Sequence, residues 1–159
     1  MKQTLIATAL AASVLTGAAA DAGTSDLDIV RAFYADILTA PAETTPARYY
    51  ELFSPDVISV PTPPGGPGAQ GMLNTVAFLG QVVPDLTWTP DEIVPLDGRY
   101  VVRGTARGTP VGPFLGVDPA TGKGFEIMSI DIVTVEAGQI THIYHLEDWT
   151  GAIAQLTAE

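Results

Sequence analysis

Two dipeptides, Asp97-Gly98 and Ala137-Gly138, limit this chain more than any other feature. Each stands between segments rich in apolar and β-branched residues. An Asp-Gly pair tolerates positive φ at both central positions of a tight turn, which is what a two-residue hairpin demands. The first pair joins Leu86–Val94 to Arg99–Gly108, and the second joins Phe125–Val135 to Ile140–Leu146. The C-terminal half is therefore predicted as a meander of antiparallel strands. A helix from near Thr150 to Leu156 closes it.

The N-terminal half has a different period. Thr24, Ser25 and Asp26 offer N-caps for a helix through about Leu38. Leu27, Val30, Phe33, Tyr34, Ile37 and Leu38 recur at helical spacing and form one stripe. Ala40-Pro41 ends it. Thr45-Pro46 starts a second, short helix over 46–53, with proline at the first helical position. A short strand, Val57–Val60, follows. Met72, Val76, Leu79 and Val83 mark a third helix. Between them, Pro61–Gly71 holds four prolines and four glycines in eleven residues. That composition predicts neither a helix nor a central strand. It fits either a mobile loop over a pocket mouth or a plain surface connection.

Helices first and an antiparallel meander after them define a single α+β domain, with N-terminal helices packed on a curved antiparallel sheet. A pocket can form between the two layers.

Composition narrows the function. The 159-residue chain carries 18 acidic and 7 basic side chains, net −11, so it lacks the cationic footprint of a nucleic-acid binder. It has no cysteine, hence no disulfide and no thiolate nucleophile. Residues 1–20 differ from the rest: Lys2, an apolar Thr4–Gly17 run, and small residues up to Ala20 have the layout of a secretory signal peptide. Cleavage after Ala20 predicts a periplasmic or secreted domain over 21–159, with no stable membrane insertion.

Several motifs fail on inspection. Gly116–Lys123 has the outline of a phosphate loop, but Val117 and Gly124 break the pattern. His142 and His145 lie three apart, so on a strand they face opposite ways, and no metal site is expected. No Gly-x-Ser-x-Gly nucleophile motif is present. Acid–base chemistry without metal or organic cofactor remains. Asp148 stands where the strand pattern yields to the helix pattern, beside Trp149. It suits either a general base among apolar neighbours or the cap of the last helix. Asp131, inside the apolar run Ser129-Ile130-Asp131-Ile132-Val133, needs a partner, and Arg103 or Arg107 on the preceding strand is expected to supply it. Strict alternation sets His142, Tyr144 and Asp148 on one face of the last strand and His145 and Glu147 on the other. Only a bulge near Leu146 brings His145 and Asp148 together.

The series Pro84-Asp85-Leu86-Thr87-Trp88, Val101 to Gly116, Thr121-Gly122-Lys123, Ile130 to Ile140 and Asp148 to Leu156 resembles the SnoaL-like polyketide cyclases, or ester cyclases, of the nuclear transport factor 2-like superfamily. The resemblance spans about Leu27 to Leu156. It implies a cone-shaped α+β fold around a deep apolar pocket, and a homodimer. It also implies an aldol-type ring closure on a small apolar or aromatic carbonyl compound, or a related isomerase or lyase step. Asp148 matches the family's acid–base aspartate and Arg103 a common arginine, with His145 as an assistant. Trp88, Asp131, His142, Tyr144 and Tyr34 are the candidates for lining the pocket. The alternative is a secreted, non-catalytic module binding a small hydrophobic ligand. The signal-like N-terminus favours it, as does Pro110 where many relatives carry a pocket histidine.

Overall fold

A computed structural model describes residues 25–118 and 122–159. The signal-peptide expectation for 1–20 lies outside the described residues. Ser25 caps α1 (Asp26–Ala32) by accepting from the Asp28 N–H at 3.2 Å. The helix then widens into a π-type turn over Phe33–Leu38. Phe33, Tyr34 and Ile37 stay buried through it. Ala40, at φ 50°, ends the run, and Pro41–Glu43 makes a 3-10 turn. Thr45 caps α2 (Pro46–Leu52) with proline in its first turn.

β1 (Phe53–Val60) starts earlier than its apolar pattern suggests and leads through 61–67 into α3 (Gly68–Val82). Four residues of the Pro/Gly stretch are thus helical, contrary to the composition argument. The four prolines end at Pro67, immediately before the first turn of that helix. The stretch is also bolted down. A Cβ on Gly71 would collide with the Gly66 carbonyl, and the Gly65 N–H donates to Thr75 Oγ1 at 2.9 Å. Only glycines permit this approach.

The remaining elements are β2 (Thr87–Leu96), β3 (Arg99–Gly108), β4 (Phe125–Glu136), β5 (Gln139–Glu147) and α4 (Trp149–Thr157). Both predicted hairpins form. Ala137 and Gly138 take φ of 50° and 78° in the second turn. The described strands form one sheet in the order β1-β5-β4-β3-β2. The meander is antiparallel, but β1 runs parallel to β5, so the sheet is mixed rather than wholly antiparallel. A strand that enters from the helical half and passes through a helix before the meander can join the far edge in this direction. The architecture is α+β, as expected.

Alternation divides the sheet. Val102 and Ala106 of β3 and Ile127, Ser129, Asp131, Val133 and Val135 of β4 are buried. Ile143, His145 and Glu147 of β5 share that inner face, under the helices. Met128, Tyr144 and Leu146 are exposed on the outer face.

Candidate active site

The inner face of the sheet, α3 and the segment after β1 line a cavity of about 250 Å³ that opens to solvent on one side. Its walls are apolar. Phe33, Met72, Val76 and Leu79 come from the helices, and Trp88, Phe114, Ile143 and Trp149 from the sheet side and its connections. The aromatic walls brace one another. Trp149 meets Trp88 edge-on at 6.3 Å and Phe114 edge-on at 5.7 Å. Trp88 Nε1 donates to Ser129 Oγ at 2.8 Å, which fixes the indole.

The polar lining is concentrated on β4 and β5. Asp131, Glu147 and His145 line the cavity, with Ser59 and Thr75. Asp131 and His145 are direct cross-strand partners, and Glu147 stands opposite Ser129. Asp131 is 3% exposed. Tyr34 donates to its Oδ2 at 2.7 Å, and the Ser129 hydroxyl lies 3.4 Å from the same oxygen. Burial pushes the carboxyl up to about 6, against the lowering effect of the Tyr34 bond; the Glu147 charge raises it further. The same burial and the Asp131 charge hold the Tyr34 phenol far above its ordinary value, so it stays a donor.

His145 is held at both nitrogens. Its Nε2 lies 3.0 Å from the Pro61 carbonyl and its Nδ1 2.9 Å from Glu147 Oε1. A carbonyl only accepts, so Nε2 carries a proton. With Glu147 ionised, Nδ1 donates as well and the ring is an imidazolium. The Glu147 hydrogen bond accordingly raises the His145 pKa, against burial. Ser59 Oγ also donates to the Pro61 carbonyl, at 3.2 Å. The mouth segment is thus tied to β1 and β5 as well as to α3.

The sequence-derived candidates separate under this geometry. Trp88, Asp131 and His145 line the cavity, and Tyr34 reaches it through Asp131. Asp148 does not line it. Asp148 is exposed and caps α4, accepting from the Gly151 N–H at 2.8 Å. β5 pairs with β4 without interruption from His142 to Glu147, so no bulge turns Asp148 inward. Arg103 lies on the outer face, bound to Asp91 at 3.1 Å and Glu92 at 3.5 Å. Arg107 pairs with Glu126 at 2.7 Å. Neither arginine partners Asp131, because Arg103 is registered with Ile130 and Arg107 with Glu126, both on the outer face. Tyr144 and His142 also fall outside the cavity, His142 bonding to Thr141 Oγ1 at 3.1 Å. Glu147, Trp149, Ser59 and Phe114 were not singled out as pocket residues. For Glu147 the signal was present, since alternation puts it beside His145. Among the described residues, no group of three or more His, Asp or Glu side chains has an arrangement that holds a metal ion.

A curved α+β sheet with an apolar cavity on its inner face and ionisable groups on the last two strands is the nuclear transport factor 2-like class of small domains. Within it, the model of the SnoaL-like polyketide cyclases matches residues 28–156, and the chain belongs to that family. Two similar solved structures come from Streptomyces. TsrD from Streptomyces laurentii is 30% identical, with 85% of this chain and 99% of that one covered and a TM-score of 0.71. IdmH, a putative polyketide cyclase from Streptomyces antibioticus, is 28% identical, with 82% and 96% covered and a TM-score of 0.68. A putative SnoaL-like polyketide cyclase from Jannaschia sp. CCS1, at 18% identity and a TM-score of 0.71 over 90% of this chain and 99% of that one, shares the fold. No curated protein matches the chain by sequence.

Proposed function

We propose that this protein is a cyclase- or isomerase-type enzyme that moves a proton at the carbon beside a carbonyl group, with Asp131 as the general base and acid. The observation that carries this is a carboxylate, buried and raised to about 6, at the polar end of an apolar cavity. A desolvated carboxylate is a stronger base than one in water, and a value near the working pH suits both taking and returning a proton. Asp131 Oδ2 is occupied by Tyr34, which leaves Oδ1 for the substrate. It takes the proton, and the C–H electron pair moves into the carbonyl as an enolate. The His145 imidazolium on the neighbouring strand lowers the energy of that negative charge. In a ring closure the enolate carbon bonds to a second carbonyl carbon of the same molecule, and the new alkoxide takes the proton back from Asp131. In an isomerisation the proton returns to a different carbon.

The test is exchange of α-protons of 1-tetralone for deuterium, followed by NMR. Wild-type protein accelerates it and Asp131→Asn does not, while the variant stays folded and still binds the ketone. Full exchange activity in Asp131→Asn would remove Asp131 from the mechanism. Pairing of two copies is proposed alongside this, supported by the apolar residues Ile58, Met128, Tyr144 and Leu146 exposed on the outer sheet face.

A further inference from the structure

The cavity's size and charge speak to what enters it. This rests on the reading of the cavity as the substrate site. An apolar cavity of about 150 Å³ takes a benzene, and drug-sized ligands occupy roughly 300 Å³ upward. The present cavity, about 250 Å³, lies between them. Scaled from the benzene case, it accepts roughly ten non-hydrogen atoms.

The two tryptophan walls are not free to retreat. Trp88 is pinned through Ser129, and Trp149 is wedged edge-on against Trp88, Phe114 and Phe125, the last at 6.0 Å. The mouth side is tied by His145, Ser59 and Thr75 to the segment that carries Pro63 and Pro64. The rings of Phe33, Trp88, Phe114 and Trp149 line the cavity, which suits a ring in the ligand.

The charges set a second limit. Asp131 and Glu147 face the cavity against one imidazolium, and no lysine or arginine is among the described residues lining it. An anionic ligand brings a further negative charge beside two carboxylates, at short range and between low-dielectric walls.

The geometry points to a neutral carbonyl compound of one or two rings as the substrate, neither a free acid nor a four-ring polycycle. Trp88 and Trp149 are the chain's two tryptophans and both line the cavity, so intrinsic fluorescence reports on it without a label. The experiment titrates the protein with 1-tetralone, 1,2,3,4-tetrahydro-1-naphthoate and estrone, by fluorescence and calorimetry at neutral pH. Saturable binding of 1-tetralone is expected, with the naphthoate and estrone each weaker by about tenfold or more. Estrone binding as tightly as 1-tetralone overturns the size limit. The naphthoate binding as tightly overturns the requirement for neutrality. If 1-tetralone binds with this selectivity but exchanges no deuterium, the inference stands and the proton-transfer reading falls. If none of the three binds, the inference falls.

Discussion

Tyr34 and Asp131, 97 positions apart in the chain, meet in a 2.7 Å hydrogen bond beneath the cavity. One belongs to the π-type turn that continues α1, the other to the middle of β4. The bond links the helical layer to the sheet, and it also governs the charge on the buried carboxyl.

That charge has a cost with a definite pH window. The Asp131 pKa rises from 3.8 to about 6 on folding, so the folded state holds the proton more tightly than the unfolded one. The stabilising contribution of the protonated form is complete below about 4 and is lost as pH rises through about 6. A shift of this size corresponds to about 3 kcal/mol, as an order of magnitude. Asp131→Asn removes the charge and keeps an acceptor for Tyr34. Its gain in melting temperature over wild type should therefore be larger at pH 8 than at pH 4, as calorimetry at the two values would show.

Tyr34→Phe deletes the donor. The hydrogen bond lowers the Asp131 pKa, so the variant should titrate Asp131 above the wild-type value. Losing a hydrogen bond to a charged acceptor costs about 1.5–3 kcal/mol. Carbon-detected NMR of the carboxyl and denaturant unfolding at pH 8 read the two effects separately. An unchanged Asp131 titration would mean that the phenol does not stabilise the carboxylate.

Glu147→Gln leaves His145 Nδ1 facing a neutral amide. The main cause of the raised His145 pKa is then gone, and the imidazole should titrate lower than in wild type. With two histidines in the chain, proton NMR resolves the His145 signals from those of the other ring. Asp131 loses a neighbouring negative charge that raises its pKa by more than the His145 charge lowers it, so the pH profile of exchange should shift downward.

Asp148 distinguishes a cap from a base. Asp148→Ala removes the acceptor for the Gly151 N–H and should destabilise the fold by about 1 kcal/mol. Asp148→Asn is an equally good cap and should leave both stability and deuterium exchange close to wild type. Exchange lost in Asp148→Asn with the fold intact would return the acid–base role to Asp148.

Gly71→Ala tests the mouth segment. The added methyl group collides with the Gly66 backbone, which cannot swing aside like a flexible side chain. A loss of about 1–3 kcal/mol or more is expected. The fluorescence response of Trp88 and Trp149 to 1-tetralone should change with it, since Pro63 and Pro64 line the same cavity.

Local chemistry made much of this fold legible in the sequence. Gly98 and Gly138, at φ of 66° and 78°, set the two hairpins, because few other residues accept those dihedrals. Alternation along β4 and β5 separated Asp131, His145 and Glu147 from Met128, Tyr144 and Leu146, because a strand's period is two wherever the ladder runs unbroken. Sequence patterning did not say which face the helices cover, nor that β1 would lie parallel to β5. Both depend on contacts between segments far apart in the chain. The same limit explains why two aspartates ended in such different surroundings. Asp131 and Asp148 each stand among apolar neighbours in the sequence, but only three-dimensional packing brings Tyr34 onto one and leaves the other in solvent at a helix end. The desolvation and hydrogen bonds that set a carboxylate's proton affinity come from groups that sequence spacing does not reveal.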